Sequence, residues 1–288
     1  MKRQLERFIP RRLAQFLRIA RFEAGLPALS PSRAKPHGLP GELIVSLTSY
    51  PGRFDTLHLG IRSLLDQTIQ PDRVILWISP EDAAAVPRKV HALESRGLEI
   101  RQVPDTRSYK KLVDALANFP DAFIATADDD IYYARDWLET LAAGVEPGSD
   151  VVLCHRAHRI PRTEGALPPY LSWQWDVQDE ASRRPSVDLV ATGVGGILYP
   201  PRVLHADTTD SATFMSLCPR GDDLWFYWMA RRTGATYRKV GGPFIQKMLP
   251  GSQEEALFNQ NSGGAYDQQI ARLSARYGVP NDPSFAGI

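Results

Sequence analysis

Cysteine, long apolar runs and an excess of one charge are all scarce in this chain of 288 residues. Its two cysteines, Cys154 and Cys218, form no CxxC pair, which argues against a zinc site. A reduced protein is a simpler interpretation than a single disulfide. No apolar run is long enough to span a membrane, and arginines interrupt the N-terminus where a signal peptide needs an unbroken apolar stretch. The formal net charge of +1 does not indicate a nucleic-acid binder. We predict a cytoplasmic protein.

The first 23 residues have a basic, amphipathic pattern. Apolar residues recur there at helical spacing, and basic residues lie between them: Lys2, Arg3, Arg7, Arg11, Arg12, Arg18 and Arg21. The pattern predicts a helix over residues 1–23. This helix either lies peripherally on the inner face of an anionic cytoplasmic membrane or packs on its own domain or a partner. Proline and glycine dominate residues 24–41, which we predict to be a linker.

From residue 42 onward, apolar strands alternate with amphipathic helices. We predict strands at 43–47, 74–78, 98–103, 122–127, 151–155, 187–191 and 236–240. We predict helices at 55–67, 81–96, 108–119 and 221–234. The alternation predicts an α/β domain over 42–249, with a mostly parallel sheet flanked by helices and ligands bound at the carboxyl ends of its strands. Residues 250–288 are predicted to be a partly mobile tail.

Two acidic motifs carry the candidate chemistry. Asp128, Asp129 and Asp130 directly follow the fourth predicted strand. Adjacent carboxylates repel unless positive charge lies among them, and Mg²⁺ or Mn²⁺ prefers oxygen ligands and bridges phosphates. Asp222 and Asp223 begin the helix at 221–234, where an ionised carboxylate is stabilised and is suited to general-base catalysis. Capping of the following helix is the alternative interpretation for both motifs.

The order of segments resembles a known fold family over residues 42–240. LIVSLTSYPGRF is followed by RVILWIS, LEIRQV, SYKKLVDALANF and FIATADDDI, an order similar to that of GT-A glycosyltransferases, in particular bacterial enzymes of family 2. The resemblance implies a nucleotide-sugar donor, with a UDP-sugar favoured, and Mn²⁺ or Mg²⁺ as cofactor. The acceptor it implies is the hydroxyl of a glycan or lipid-linked glycan in bacterial surface glycan assembly.

Residue roles follow from this resemblance by position. It implies that the nucleotide base contacts Thr48, Ser49 and Tyr50. It places Asp128 near the ribose or base, Asp129 in the donor site, and Asp130 on the metal together with Asp128. Asp223 becomes the base of an inverting displacement. Because Asp222 stands where these enzymes more often have Glu, the assignment between Asp222 and Asp223 stays open.

Further candidates surround these motifs. Arg53, Lys110 and Lys111 offer positive charge to a diphosphate, with a solvated basic face as the alternative. In TGVGGILYPP, Gly195 and Gly196 allow close approach of the backbone to a ligand, or else form a tight bend.

Aromatic and histidine residues lie between the two acidic motifs. Trp173 and Trp175 are candidates for acceptor binding because aromatic faces pack against sugar rings, although tryptophan is more often a core residue. His155 and His158 are interpreted as structural.

Two other functions compete with glycosyl transfer. A nucleotidyltransferase that makes sugar nucleotides has a related topology, but it carries a glycine-rich basic loop after the first strand, where this chain reads TSYPGRFD. A catalytically silent sugar-binding module is the second alternative. The intact acidic pairs argue against it.

Overall fold

The computed structural model describes residues 10–27, 34–162, 167–252, 264–280, 282 and 285. Its strands are β1 (Lys35–Pro36), β2 (Leu43–Thr48), β3 (Ile69–Gln70), β4 (Arg73–Ile78), β5 (Leu98–Gln102), β6 (Phe123–Thr126), β7 (Val151–Cys154), β8 (Ala157–Arg159), β9 (Leu189–Ala191), β10 (Ile197–Tyr199) and β11 (Thr236–Lys239). Its α-helices are α1 (Arg11–Ala24), α2 (Phe54–Leu65), α3 (Pro80–Ala83), α4 (Arg88–His91), α5 (Lys110–Asn118), α6 (Trp137–Ala143), α7 (Ser211–Leu217), α8 (Asp222–Arg232) and α9 (Ala265–Tyr277). None of the helices in the described ranges is long and apolar enough to cross a membrane.

A sheet of seven strands, in the order β11-β7-β10-β6-β2-β4-β5, forms the centre of the fold. Neighbouring strands are parallel except at β10, which is antiparallel to both β6 and β7. Leu43 through Leu47 of β2 is fully buried, as expected for a parallel strand that is covered on both faces. The predicted α/β class with a mostly parallel sheet is confirmed.

Helices cover both faces of this sheet because successive strand residues point to opposite sides. Val45 packs in one core with Leu57 and Ile61 of α2. Ile44, its neighbour in β2, packs in a second core with Leu112 of α5 and Phe226 of α8. The first acidic motif therefore follows a strand of the central sheet, and the second begins a helix that packs on that sheet.

The predicted helix over 81–96 is wrong in detail. It is divided into α3, α4 and a short 3₁₀ turn, with Pro87 immediately before α4. Proline has no N–H to give a helix and its ring crowds the preceding turn, so a continuous helix cannot pass through residue 87. Gly97 does end the segment, at φ +100°. The sequence analysis did not predict β10 or α7.

The two ends of the chain contain more fixed structure than the sequence predicted. Residues 1–9 and 28–33 lie outside the described residues, but β1, within the predicted linker, pairs with β3. In the predicted tail, Ile270 and Leu273 of α9 are buried in the same core as α8, while residues 253–263 are not described. Cys154 and Cys218 are both buried and free.

Candidate functional site

The two acidic motifs meet at the carboxyl-end edge of the sheet. Strands β2 and β6 are parallel neighbours, with Ser46 opposite Thr126, so the residues that follow them lie side by side. Ser49 Oγ accordingly donates a hydrogen bond to Asp129 Oδ2. This edge is where open α/β sheets bind their ligands.

The loop of three aspartates is held from behind by α2. A side chain at Gly60 would lie only 3.2 Å from the carbonyl oxygen of Asp129 and 3.3 Å from that of Ile131. The backbone N–H of Tyr133 donates to Ser63 Oγ at 3.0 Å, one helical turn further along α2. The close approach of helix and loop therefore depends on a small residue at 60.

The three adjacent aspartates have three different partners. Lys111 Nζ lies 2.8 Å from Asp128 Oδ1, Ser49 pairs with Asp129, and Arg53 Nη1 lies 3.2 Å from Asp130 Oδ2. Burial raises the pKa of Asp129 to about 6. Burial together with the charges of its two neighbours raises the pKa of Asp130 to about 7. Additional positive charge near this loop would therefore stabilise the ionised carboxylates.

Lys111 joins the first acidic motif to the second. Its side chain is only 7% exposed, and its ammonium lies 3.1 Å from Asp222 Oδ2 as well as 2.8 Å from Asp128. Burial lowers the pKa of Lys111, but the charges of Asp128, Asp222 and Asp223 outweigh it and leave that pKa well above its usual value. We call Lys111 and these three carboxylates the Lys111 cluster.

Asp223 is held in place by the glycine turn between β9 and β10. The Gly193 N–H donates to Asp223 Oδ2 at 2.9 Å, whereas the buried Oδ1 has no hydrogen-bond partner among the described residues. Burial and the charge of Asp222 raise the pKa of Asp223 to about 7. A Cβ at Gly193 would lie 2.9 Å from Lys111 Nζ, 3.1 Å from Asp223 Oδ1 and 3.3 Å from Asp128 Oδ1. Glycine therefore keeps open the space on which these three groups converge.

The other two glycines of this turn allow close packing within the protein. A Cβ at Gly195 would lie 2.9 Å from the backbone nitrogen of Arg156. Gly196 has φ +85°, and a Cβ there would lie 2.4 Å from the Trp137 ring. The tight-bend alternative therefore accounts for both residues, and Gly193 is the glycine that faces the Lys111 cluster.

Several of the residues predicted to contact the base or the phosphates already have partners within the protein. Thr48 Oγ1 donates to the carbonyl oxygen of Trp77 at 2.8 Å, which uses the hydroxyl within the sheet. Arg53 is buried between Asp130 and the carbonyl oxygen of Ser252. Lys110 pairs with Asp105 instead of facing the Lys111 cluster. Tyr50 is exposed at the rim of the site.

The two candidate tryptophans have different environments. Trp173 is 3% exposed and its indole N–H donates to the carbonyl oxygen of Pro168 at 3.1 Å, so it is a core residue. Trp175 is 36% exposed, and its ring centroid lies 4.6 Å from that of His158. Only Trp175 presents substantial surface to a ligand.

The sequence analysis missed an aromatic residue supplied by α9. Tyr266 stacks on Tyr170 with ring centroids 4.5 Å apart, and Asp267 accepts the Tyr170 N–H at 2.7 Å. Burial raises the pKa of both tyrosines, and the charge of Asp223 adds to the increase. Tyr170, Tyr266 and Trp175 form what we call the aromatic wall. No motif around residue 266 indicated this role.

The two histidines are structural, as interpreted from the sequence. His155 Nε2 lies 2.9 Å from the carbonyl oxygen of Trp137, and burial lowers its pKa. His158 Nδ1 accepts the Asp176 N–H, and burial lowers its pKa to about 3. Both rings are therefore neutral near pH 7.

A divalent metal fits this edge only as a site shared with a substrate. No group of three or more His, Cys, Asp or Glu side chains within the described ranges is arranged to enclose a metal ion. Asp128 and Asp130 nevertheless keep 27% and 14% of their side chains exposed, and the unpartnered Oδ1 of Asp223 lies beside the space at Gly193. Mg²⁺ in particular is often held by one or two carboxylates, water and substrate phosphates.

Comparison with solved structures finds likenesses at low sequence identity. No protein-family model matches the sequence, and no curated protein matches it. The inositol-1-phosphate CTP transferase from T. maritima is similar in structure, with 11% identity and a TM-score of 0.44 over 81% of this chain and 96% of that chain. CMP:2-keto-3-deoxy-manno-octonic acid synthetase complexed with CTP is similar at 13% identity and a TM-score of 0.41, over 77% of this chain and 99% of that one. Neither is named as a glycosyltransferase, and likenesses this distant assign no reaction to this chain.

Proposed function

We propose that this protein transfers a sugar from a nucleotide-activated donor to a hydroxyl group of an acceptor, with inversion at the anomeric carbon. The observation that carries the proposal is the carboxylate of Asp223. One of its oxygens is fixed by the Gly193 N–H, and the other lies near Asp128 and Lys111 without a hydrogen-bond partner in the described part of the chain. A single site thus combines a base with the groups suited to a diphosphate.

The donor side of the site is the edge formed by Ser49, Tyr50 and the three aspartates. Five carboxylates at this edge are offset among the described residues by the cations of Arg53 and Lys111. Asp128 and Asp130 are the residues that would hold Mn²⁺ or Mg²⁺. When bound, the metal neutralises the charge that develops on the leaving diphosphate. Lys111 keeps Asp128 in place from behind, so its role is positioning and not direct contact with the phosphates.

The acceptor side follows from the raised pKa of Asp223. A base is most effective when its pKa lies near the working pH, and burial brings this carboxyl group to about 7. Asp223 would remove the proton of the acceptor hydroxyl as the hydroxyl oxygen attacks the anomeric carbon. Asp222 Oδ2 also has no hydrogen-bond partner among the described residues, but it lies 3.1 Å from the Lys111 ammonium, and this ion pair makes it the weaker candidate for the base.

The aromatic wall is the candidate surface for a glycan acceptor. Tyr266 stacks on Tyr170, and the exposed Trp175 ring lies 5.2 Å from Tyr170. Sugar rings pack their C–H faces against aromatic rings, which would bring an acceptor hydroxyl towards the base.

Nucleotidyl transfer is the rival function, and the names of the two similar structures match it better than they match glycosyl transfer. The residues after β2 argue against it. A single 3₁₀ turn, Pro51–Arg53, leads directly into α2, and the Arg53 guanidinium is buried against Asp130. This segment lacks the glycine-rich basic loop that a nucleotidyltransferase uses to hold a triphosphate.

A thermal-shift screen of nucleoside diphosphates, with and without Mn²⁺, tests the donor site. We expect at least one diphosphate to raise the Tm of the wild type only when Mn²⁺ is present, since ligands stabilise the state that they bind. Asp130→Ala should abolish that shift while the variant stays folded. A silent sugar-binding module would also pass this screen but would then turn over no acceptor. An unchanged shift in the variant would remove Asp130 from the metal site.

A further inference from the structure

Helix α1 packs one of its faces firmly on the domain. The side-chain amide of Gln15 donates to the carbonyl oxygen of Pro250 at 2.9 Å. The Phe22 ring meets Tyr132 edge to face, with centroids 6.0 Å apart. Glu23 pairs with Lys89 at 3.1 Å on the same side. These contacts fix which residues of α1 point away from the protein.

The opposite face of α1 is apolar, and none of the residues that the structure describes covers it. Leu13, Phe16 and Leu17 are 48%, 64% and 48% exposed, and Ala20 is exposed as well. Their spacing of three and four residues places them on one stripe of the helix. Exposed apolar area costs about 25 cal/mol per Å², so a continuous stripe of this kind indicates a surface that is covered in use.

The charges beside the stripe identify what covers it. Arg18 and Arg21 are exposed on α1, while its one acidic residue, Glu23, is turned inward to Lys89 and His58. A second copy of the chain is disfavoured as the partner, because a symmetric contact through this stripe would bring the same arginines together. Anionic lipid headgroups satisfy the arginines, and the acyl region accepts the apolar side chains.

The position of α1 links this surface to the site. Gln15 contacts the segment at Pro250, whose neighbour Leu249 donates its N–H to the carbonyl oxygen of Asp130 at 2.8 Å. Arg53 donates to the carbonyl oxygen of Ser252 in the same segment. We propose that α1 lies in the surface of an anionic membrane with Leu13, Phe16 and Leu17 inserted, and so holds the acidic edge of the sheet close to the lipid. This proposal rests on packing and charge and is independent of the reaction at the site.

Co-sedimentation with vesicles tests the proposal on the full chain. Wild type should sediment with vesicles that contain about 30% phosphatidylglycerol and stay in solution with phosphatidylcholine alone, since each arginine near an anionic surface adds about 1 kcal/mol. Phe16→Ser combined with Leu17→Ser should weaken binding about tenfold or more, because less apolar area is then buried. Arg18→Gln combined with Arg21→Gln should also weaken it. Leu171→Ser is the control, as Leu171 is a leucine with 63% exposure far along the chain from α1.

Three outcomes would overturn the proposal. Wild type could remain in solution with anionic vesicles, or the α1 variant could sediment as well as wild type and the Leu171 control. Sedimentation equilibrium supplies the third, in which wild type is a dimer and the Phe16/Leu17 variant is a monomer. The stripe would then be an interface between two copies. Circular dichroism on each variant confirms that the fold is retained, which is expected because all the substituted side chains are exposed.

Discussion

Lys111 Nζ lies 2.8 Å from Asp128 Oδ1, deep enough for the lysine side chain to be only 7% exposed. Because the same ammonium also lies 3.1 Å from Asp222, one lysine sets the separation of the two acidic motifs. The carboxylates of the two motifs are therefore electrostatically coupled. A substitution at either motif should change the pKa values at the other.

Lys111→Met should destabilise the protein strongly, because it leaves the buried Asp222 and the partly buried Asp128 without their cation. Removing one partner of a buried ion pair typically costs about 3–5 kcal/mol. Lys110→Met is the matched control, since its partner Asp105 is more than half exposed and can be hydrated instead. Urea denaturation of both variants measures the difference. Equal losses in the free energy of unfolding would show that Lys111 stabilises the fold no more than Lys110 does.

Asp223→Asn should reduce the rate of transfer by about 10²–10⁴-fold, the usual effect of losing a general base. The amide keeps the size of the carboxylate and can still accept the Gly193 N–H, so donor affinity should barely change. For wild type, turnover should rise as the pH increases through about 7, where Asp223 loses its proton. The variant should lose this dependence.

Asp222→Asn is the matched control for the choice of base. It should be milder in turnover, because Asp222 is paired with Lys111, whereas Asp223 Oδ1 is among the three atoms nearest to a Cβ placed at Gly193. If Asp222→Asn abolishes transfer and Asp223→Asn keeps it, the two roles are exchanged. If both variants keep it, the inverting mechanism fails.

The same Asp223→Asn variant should be more stable than wild type at alkaline pH. Burial raises the pKa of Asp223 from 3.8 to about 7, so the folded protein holds a proton that the unfolded chain has released. This contribution to stability is complete below about pH 4 and is lost as the pH rises through about 7. The Tm of the variant should therefore exceed that of wild type at about pH 8 and match it at about pH 4. A Tm difference that does not vary with pH would contradict the raised pKa.

Trp175→Ala should raise the KM for a glycan acceptor by about 2–10-fold, since it removes a ring that can stack on a sugar, and should lower the Tm less than Trp173→Ala does. Trp173→Ala should instead lower the Tm, because deleting a buried tryptophan costs about 3–5 kcal/mol. Acceptor kinetics and thermal melts on both variants separate the two roles. An acceptor KM that is unchanged in Trp175→Ala would show that this residue does not bind the acceptor.

The sheet and the position of the acidic loop were predictable because they depend on local pattern. Strands such as β2 and β6 are short, uninterrupted apolar runs between turns, and Asp128 follows directly after β6. The three-residue strand β10 was missed because so short a run carries no periodicity. Its antiparallel insertion beside β6 is a tertiary feature.

The connections across the site could not be read from sequence. Tyr266 reaches Tyr170, and Lys111 reaches Asp222, only through the packing of distant helices. Trp173 and Trp175 would share a face in a regular strand, but Gln174 between them pairs with Arg159 only through an isolated antiparallel bridge. A 3₁₀ turn precedes Trp173, and Asp176 has φ +45°. One ring is therefore buried and the other exposed.

The central claim is that a sugar leaves a nucleoside diphosphate at this site. The most direct measurement is to incubate the protein with Mn²⁺ and a panel of nucleotide sugars with glycan acceptors and, separately, with CTP and sugar phosphates. The reaction products are then identified by mass spectrometry. We expect a nucleoside diphosphate and a product one sugar larger than the acceptor, with both lost in Asp223→Asn. Pyrophosphate and a new sugar nucleotide formed from CTP would contradict the account and establish nucleotidyl transfer.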